Sequence, residues 1–327
     1  MKNKFKKNRI APGKCSYTFK KILTGSDLSI RRLPLMSVTS EKKGPVVWIT
    51  ACVHGDEVVG MAVVHEIFKK IRRTLLCGAV HAFPLMNPIG LETISRKITM
   101  SREDLNRSFP GKADGTLGER LANRIFETII ITSPDLVLDL HSDWKQSIPY
   151  TILDKRSIKM NKEIYETTRQ FARQTGFVCL LEDEPLTDSL SHNLLENNIP
   201  ALTLELGEPY VINEENVNLG LGAIWNILSD LKMIAPLDER FSFPTSKAYK
   251  GKIFKYSDQP YSSKSGIIRF LAKPGDEIKK GQPFARIVNA FGKHQETVKA
   301  LNDGIVLGHS DSSVVFPGMP IMAFGIN

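Results

Sequence analysis

The chain has 327 residues, 42% of them hydrophobic and 24% charged, which supplies a large core and is too long for one ordinary domain. Its 44 Lys and Arg against 35 Asp and Glu give a net charge of +9, but residues 1–26 hold eight of those bases and no acid, leaving 36 against 35 in the rest. A body so near neutrality excludes a nucleic-acid-binding face and confines the excess to a basic N-terminal arm, residues 1–26, expected to be solvated and partly disordered.

No run approaches the eighteen or more apolar residues of a membrane span, and residues 22–35, where a signal peptide needs its apolar stretch, contain Asp27, Arg31 and Arg32. The expectation is a soluble, cytoplasmic protein with no membrane or nucleic-acid partner. Cys15, Cys52, Cys77 and Cys179 lie far apart without a Cys-x-x-Cys pair, as free thiols in a reducing compartment do.

After the arm, residues 28–38 read as an extended lead-in and 46–52 as a β-branched, buried strand. Helix 57–71, strand 79–86 and a long loop follow, then helix 117–131 and strands 135–140 and 149–153. Helix 161–176, strand 177–181, helix 189–197, strand 201–206 and helix 214–233 complete the series. Strands alternating with helices predict an α/β domain over residues 27–240, a mostly parallel sheet covered by helices on both faces. Beyond about residue 240, short strand-like runs separated by turn signals such as Pro274-Gly275-Asp276 and Asn302-Asp303-Gly304 predict a small all-β domain over 241–327.

The chemistry concentrates at strand ends. His54-Gly55-Asp56-Glu57 closes one strand and opens a helix, where ligands collect in doubly wound sheets, so its imidazole and a carboxylate can converge. A hydrolytic zinc site of two His and one Glu needs a second His from another strand end, and His141, after Asp139-Leu140, fits. Equally, Asp56 and Glu57 can be first-turn acids favoured by the helix dipole. Asn106-Arg107, in the long loop, offers an amide beside a guanidinium suited to a carboxylate. Glu205 stands inside the apolar run Leu202–Leu206, where an acid needs a partner or a task. Asp139 can orient a ligand histidine or cap a turn. His65, His81, His192 and His294 have no partner at metal spacing.

His54-Gly-Asp-Glu57, Asn87-Pro88, Asp104-Leu-Asn106-Arg107 with Phe109-Pro-Gly, Asp139-Leu-His141-Ser and Glu205-Leu-Gly207 occur in this order across residues 44–231. Together they resemble the succinylglutamate desuccinylase and aspartoacylase family, relatives of the zinc carboxypeptidases. The resemblance implies a zinc-carboxypeptidase type of sheet and one Zn2+ per chain held by His54, Glu57 and His141. It implies Glu205 as general base, with Glu208 second, Arg96 stabilising the oxyanion, with Arg102 as the other candidate, and Asn106 and Arg107 binding substrate carboxylate. The implied activity is hydrolysis of the amide bond of an N-acyl amino acid or related small acylated amine, with assembly into a homo-oligomer left open. A zinc carboxypeptidase acting on peptides is the enzymatic alternative.

Residues 266–287 and 300–306 resemble a biotinyl or lipoyl-type barrel-sandwich. Lys293 lacks the flanking methionines of a modified-lysine hairpin and reads as an ordinary turn lysine, making the β domain a structural cap beside the active site. A non-catalytic binding or carrier protein is the alternative of another class.

Overall fold

The structure, a computed structural model, describes residues 13–25, 28–247 and 249–327. The N-terminal half contains strands β1 (Lys14–Thr24), β2 (Ile30–Thr39), β3 (Val46–Ala51), β4 (Ala79–Phe83), β5 (Leu136–His141), β6 (Gln146–Ser147) and β7 (Tyr150–Leu153), and helices α1 (Val59–Ile71), α2 (Pro88–Glu92) and α3 (Leu117–Ile130). Next come α4 (Lys162–Gln174), β8 (Val178–Leu181), α5 (Leu190–Glu196), β9 (Ala201–Glu205) and α6 (Glu214–Asp230). The last segment is all β: β10 (Ile253–Ser257), β11 (Gly266–Phe270), β12 (Glu277–Ile278), β13 (Pro283–Val288), β14 (His294–Lys299), β15 (Gly304–His309), β16 (Val314–Val315) and β17 (Met322–Ile326).

One sheet runs in the order β1-β2-β4-β3-β5-β9-β7-β8-β10-β17-β15-β12, with β6 added on β15. Strands β4, β3, β5 and β9 pair in parallel. Strand β7 is antiparallel to β9 and parallel to β8, which is parallel to β10. The expected parallel strands thus form the middle of a sheet that is mixed as a whole. Helix α1 packs its spaced apolar face, including Val63, Ile67 and Ile71, against the sheet, and its Gly60 comes so close to Leu140 that a Cβ would meet that side chain at 2.8 Å. Helix α5 reaches Thr203 through Ser191, 3.4 Å away. Leu140 is opposite Leu204, so Thr203 points to the other face, and both faces are covered as buried parallel strands require.

One expectation is corrected, and the expected boundary near residue 240 is crossed by a continuous sheet. Residues 1–12 of the basic arm lie outside the described residues, but Lys14–Thr24 is an eleven-residue strand paired antiparallel with β2. None of its side chains is buried: Cys15, Tyr17 and Phe19 alternate within a lysine-rich stretch, and Tyr17 and Phe19 stay largely exposed, so the strand carries no core-facing signature. The division at residue 240 does not interrupt the sheet either, because β10, β17, β15 and β12 continue it. A shared core joins Ile148, Tyr150, Val178 and Leu180 to Phe254, Ile305, Leu307 and Ala323. The four-stranded sheet β14-β13-β11-β16 encloses a further core around Phe284, Ile287 and Phe324.

Candidate active site

Strand β3 ends at Ala51, and the chain turns sharply through Cys52, whose φ is +55°. The turn closes on Gly55, whose N–H donates to Ser95 at 2.9 Å and where a Cβ would lie 1.9 Å from the Gly90 carbonyl carbon. That contact demands glycine and fixes His54 over the strand end. Helix α1 starts only at Val59, with no acid in its first turn. Glu57 is therefore not a helix-dipole acid: it is 3% exposed and turned toward His54.

Glu57 Oε1 lies 2.6 Å from His54 Nδ1, and Glu57 Oε2 lies 3.0 Å from His141 Nδ1. The rings stand edge to face, 5.2 Å apart. Each imidazole is held from behind at its other nitrogen, His54 Nε2 by Asp104 at 3.1 Å and His141 Nε2 by Asp139 at 3.0 Å. Asp139 in turn accepts from Thr50 Oγ1 at 2.7 Å. With Nε2–H donated to a carboxylate, each ring would turn its Nδ1 lone pair toward a cation held at the centre.

The donor atoms of His54, Glu57 and His141 all lie within 4.8 Å of one another, and all three residues are buried. Two imidazoles and one carboxylate, with carboxylates behind both rings, suit a divalent zinc-like cation that leaves a position open for substrate. The charges point the same way. Burial works to raise the Glu57 carboxyl, but His54 and His141 bring it down to about 2. Burial works to lower His141, yet Asp139 and Glu57 raise it well above an ordinary imidazole. The carboxylates demand positive charge at this point, and a bound cation answers the same demand.

Glu205 closes β9 directly opposite His141 and Tyr150. Its Oε2 is buried without a hydrogen-bond partner, and burial, with Asp143 and Glu57 nearby, raises this carboxyl well above the usual range. Gly207, at φ +86°, turns the chain away. Glu208 lies beyond that turn, where it accepts from Asn213 Nδ2 at 2.6 Å, and does not line the cavity beside Glu205.

That cavity, about 200 Å³, is lined by the three candidate ligands, Glu205, Arg96, Asn106 and Arg107. Arg96 is half exposed at its rim, 3.4 Å from Glu57 Oε1 and 3.3 Å from Asp104 Oδ2, whereas Arg102 is not among the lining residues. Asn106 Oδ1 accepts from the Leu190 N–H at 3.0 Å, tying the loop to the start of α5, and Arg107 donates to the Asn106 carbonyl at 2.9 Å.

The structure also brings in residues that the sequence did not single out. Asp143 accepts from the Tyr150 hydroxyl, and burial pushes its carboxyl up to about 6. Asp154, Glu182 and, from β10, Tyr256 complete the wall, so the region beyond residue 240 touches the cavity itself. Asp143 could have been flagged as the second acid flanking His141; Tyr256 had no signal in the sequence.

Comparison with known proteins places this geometry among relatives. Residues 43–231 match the model of the succinylglutamate desuccinylase/aspartoacylase catalytic domain. A curated relative, N-alpha-acetyl-L-2,4-diaminobutyric acid deacetylase of Halomonas elongata, is 25% identical over 298 residues, covering 88% of this chain and 84% of its own. Among solved structures, the product-bound ectoine utilization protein EutE of Ruegeria pomeroyi matches with TM-score 0.79 at 20% identity, over 99% of this chain and 98% of that one. A metallo-carboxypeptidase of Burkholderia cenocepacia matches with TM-score 0.55 at 15% identity, over 66% of this chain and 65% of its own, so the carboxypeptidase type of fold is present. No helix among the described residues is long and apolar enough to cross a membrane.

Proposed function

The chain belongs to the succinylglutamate desuccinylase/aspartoacylase family, and on that premise we propose that it is a zinc-dependent deacylase that hydrolyses the amide of an N-acyl amino acid or a related small acylated amine. The observation that carries this reading is the convergence of His54, Glu57 and His141 beside the unpartnered, buried Glu205 carboxylate.

Zinc held by His54, Glu57 and His141 would supply Lewis acidity, lowering the pKa of a water and polarising the scissile carbonyl. Asp104 and Asp139 keep the two rings in the tautomer that turns Nδ1 inward. Glu205 takes the proton of the attacking water and passes it to the leaving amine. Arg96 at the rim stabilises the oxyanion of the tetrahedral intermediate, and Asn106 and Arg107 hold the substrate carboxylate.

A cavity of about 200 Å³ supports a small acylated amino acid as the substrate. The Halomonas elongata relative, a deacetylase of an acetylated amino acid, supports the same substrate size. The test is hydrolysis by the zinc-loaded protein of N-acetyl amino acids, N-succinyl amino acids and peptides in parallel. Release of a small acyl group is expected; C-terminal residues released from peptides, with no deacylation, would replace the reading by the carboxypeptidase one.

A further inference from the structure

Buried polar atoms that make no hydrogen bond are few in a folded chain, and each one calls for a reason. Two such atoms among the described residues line the candidate active-site cavity: Glu205 Oε2 and the hydroxyl of Ser142, a residue 6% exposed. The other aliphatic hydroxyls of the wall are engaged. Ser191 Oγ lies 3.4 Å from both Ser189 Oγ and Thr203 Oγ1, and Ser189 Oγ also accepts from the His192 N–H at 3.2 Å. Ser142 is the exception.

Its backbone is fixed at the centre of the site. Ser142 directly follows the candidate ligand His141, and its N–H donates to Glu57 Oε2 at 3.2 Å. On either side, the His141 carbonyl accepts from the Leu206 N–H and the Asp143 N–H donates to the Gly207 carbonyl, both at 2.9 Å. Residues 141–143 are thereby stitched to the end of β9, where Glu205 stands opposite His141. The unpartnered hydroxyl thus belongs to a segment held between a candidate ligand and the strand that carries the base.

In the proposed hydrolysis the scissile amide brings two polar groups into this cavity. Arg96 meets the carbonyl oxygen, and Glu205 handles the proton of the water, but the amide N–H has no acceptor. A donor buried without a partner is costly, and so is a buried hydroxyl oxygen. Each supplies what the other lacks, because a serine oxygen accepts through its lone pairs.

We propose that Ser142 is a further catalytic residue, whose Oγ accepts the N–H of the scissile amide and holds the nitrogen with its developing lone pair toward the proton carried by Glu205. This rests on the deacylase reading. Water adds its oxygen to the acyl carbon and gives one proton to Glu205. Glu205 passes that proton to the nitrogen lone pair, the oxyanion re-forms the carbonyl, and the C–N bond breaks with its electron pair left on nitrogen. The amine departs with the hydrogen that Ser142 held and the one that Glu205 delivered.

The test pairs N-acetylalanine with O-acetyllactate, its ester isostere with oxygen in place of the N–H, and compares each substrate between enzymes so that the higher intrinsic reactivity of the ester cancels. If another N-acyl amino acid is the better substrate, it and its own ester take their place. With the zinc-loaded protein, Ser142→Ala is expected to lower kcat/KM at least about tenfold for the amide and less than about twofold for the ester. Ser142→Thr keeps the hydroxyl and should hold the amide-to-ester ratio near that of the unaltered enzyme, whatever the added methyl group does to both rates. Equal losses for the two substrates in Ser142→Ala, no loss for the amide, or a ratio in Ser142→Thr as low as in Ser142→Ala overturns the proposal. If the unaltered enzyme hydrolyses no N-acyl amino acid, the deacylase reading has failed, and calorimetric binding of the same pair decides the contact separately. Tighter binding of the amide than of the ester, with the difference lost in Ser142→Ala, supports it, and equal binding overturns it.

Discussion

The Asp104 carboxylate lies 3.1 Å from His54 Nε2 and so determines, from fifty residues away in the chain, which nitrogen of that ring faces Glu57. Asp104 also caps the short 3-10 helix Leu105–Arg107, accepting from the Asn106 N–H at 2.9 Å, so the loop that presents Asn106 and Arg107 is anchored to a candidate metal ligand. Asp104→Ala should weaken zinc affinity by about 10- to 100-fold, as loss of a carboxylate behind a ligand histidine does. Competition against a chromophoric chelator measures it; affinity equal to that of the unaltered protein would remove Asp104 from the metal site.

Glu205→Gln preserves shape but cannot accept a proton. Turnover should fall at least about a hundredfold while bound zinc stays at the unaltered level, because Glu205 is not one of the converging donors. Metal analysis and steady-state kinetics on the same preparation check both halves, and turnover within a few-fold of normal would exclude Glu205 as the base.

The C-terminal strands should matter to stability without supplying a carrier lysine. Leu307, fully buried in the shared core, should cost about 2–5 kcal/mol when changed to Ala, read by chemical denaturation. Lys293 lies in the turn joining β13 to β14, where its N–H donates to Asn289 Oδ1 at 3.0 Å. Lys293→Ala should leave deacylation unchanged, and intact mass should show no biotin or lipoyl adduct; an adduct would favour a carrier function.

Much of the parallel middle of the fold was legible because β3, β5 and β9 are largely apolar and buried, with His54 just past β3 and His141 and Glu205 closing β5 and β9, so these three stood out against apolar runs. What escaped depended on register. β7 has four residues and runs against β9, and nothing local shows that Tyr150 sits opposite Glu205 or that Asp154 and Glu182 meet. Tyr256 reaches the cavity only because β10 joins β8 across the expected boundary near residue 240. Strand β1 was missed for the opposite reason: its short alternation of Cys15, Tyr17 and Phe19 lies in a lysine-rich stretch and buries none of its side chains.

The most direct test of the whole account is a zinc titration of the chelator-stripped protein with acetate release from an Nα-acetyl amino acid as the readout. Activity should climb in proportion to added zinc, level off at about one equivalent per chain, and be absent from His141→Ala at every ratio. Hydrolysis that proceeds at full rate in the stripped protein, or that fails to appear although one zinc is bound, would contradict it.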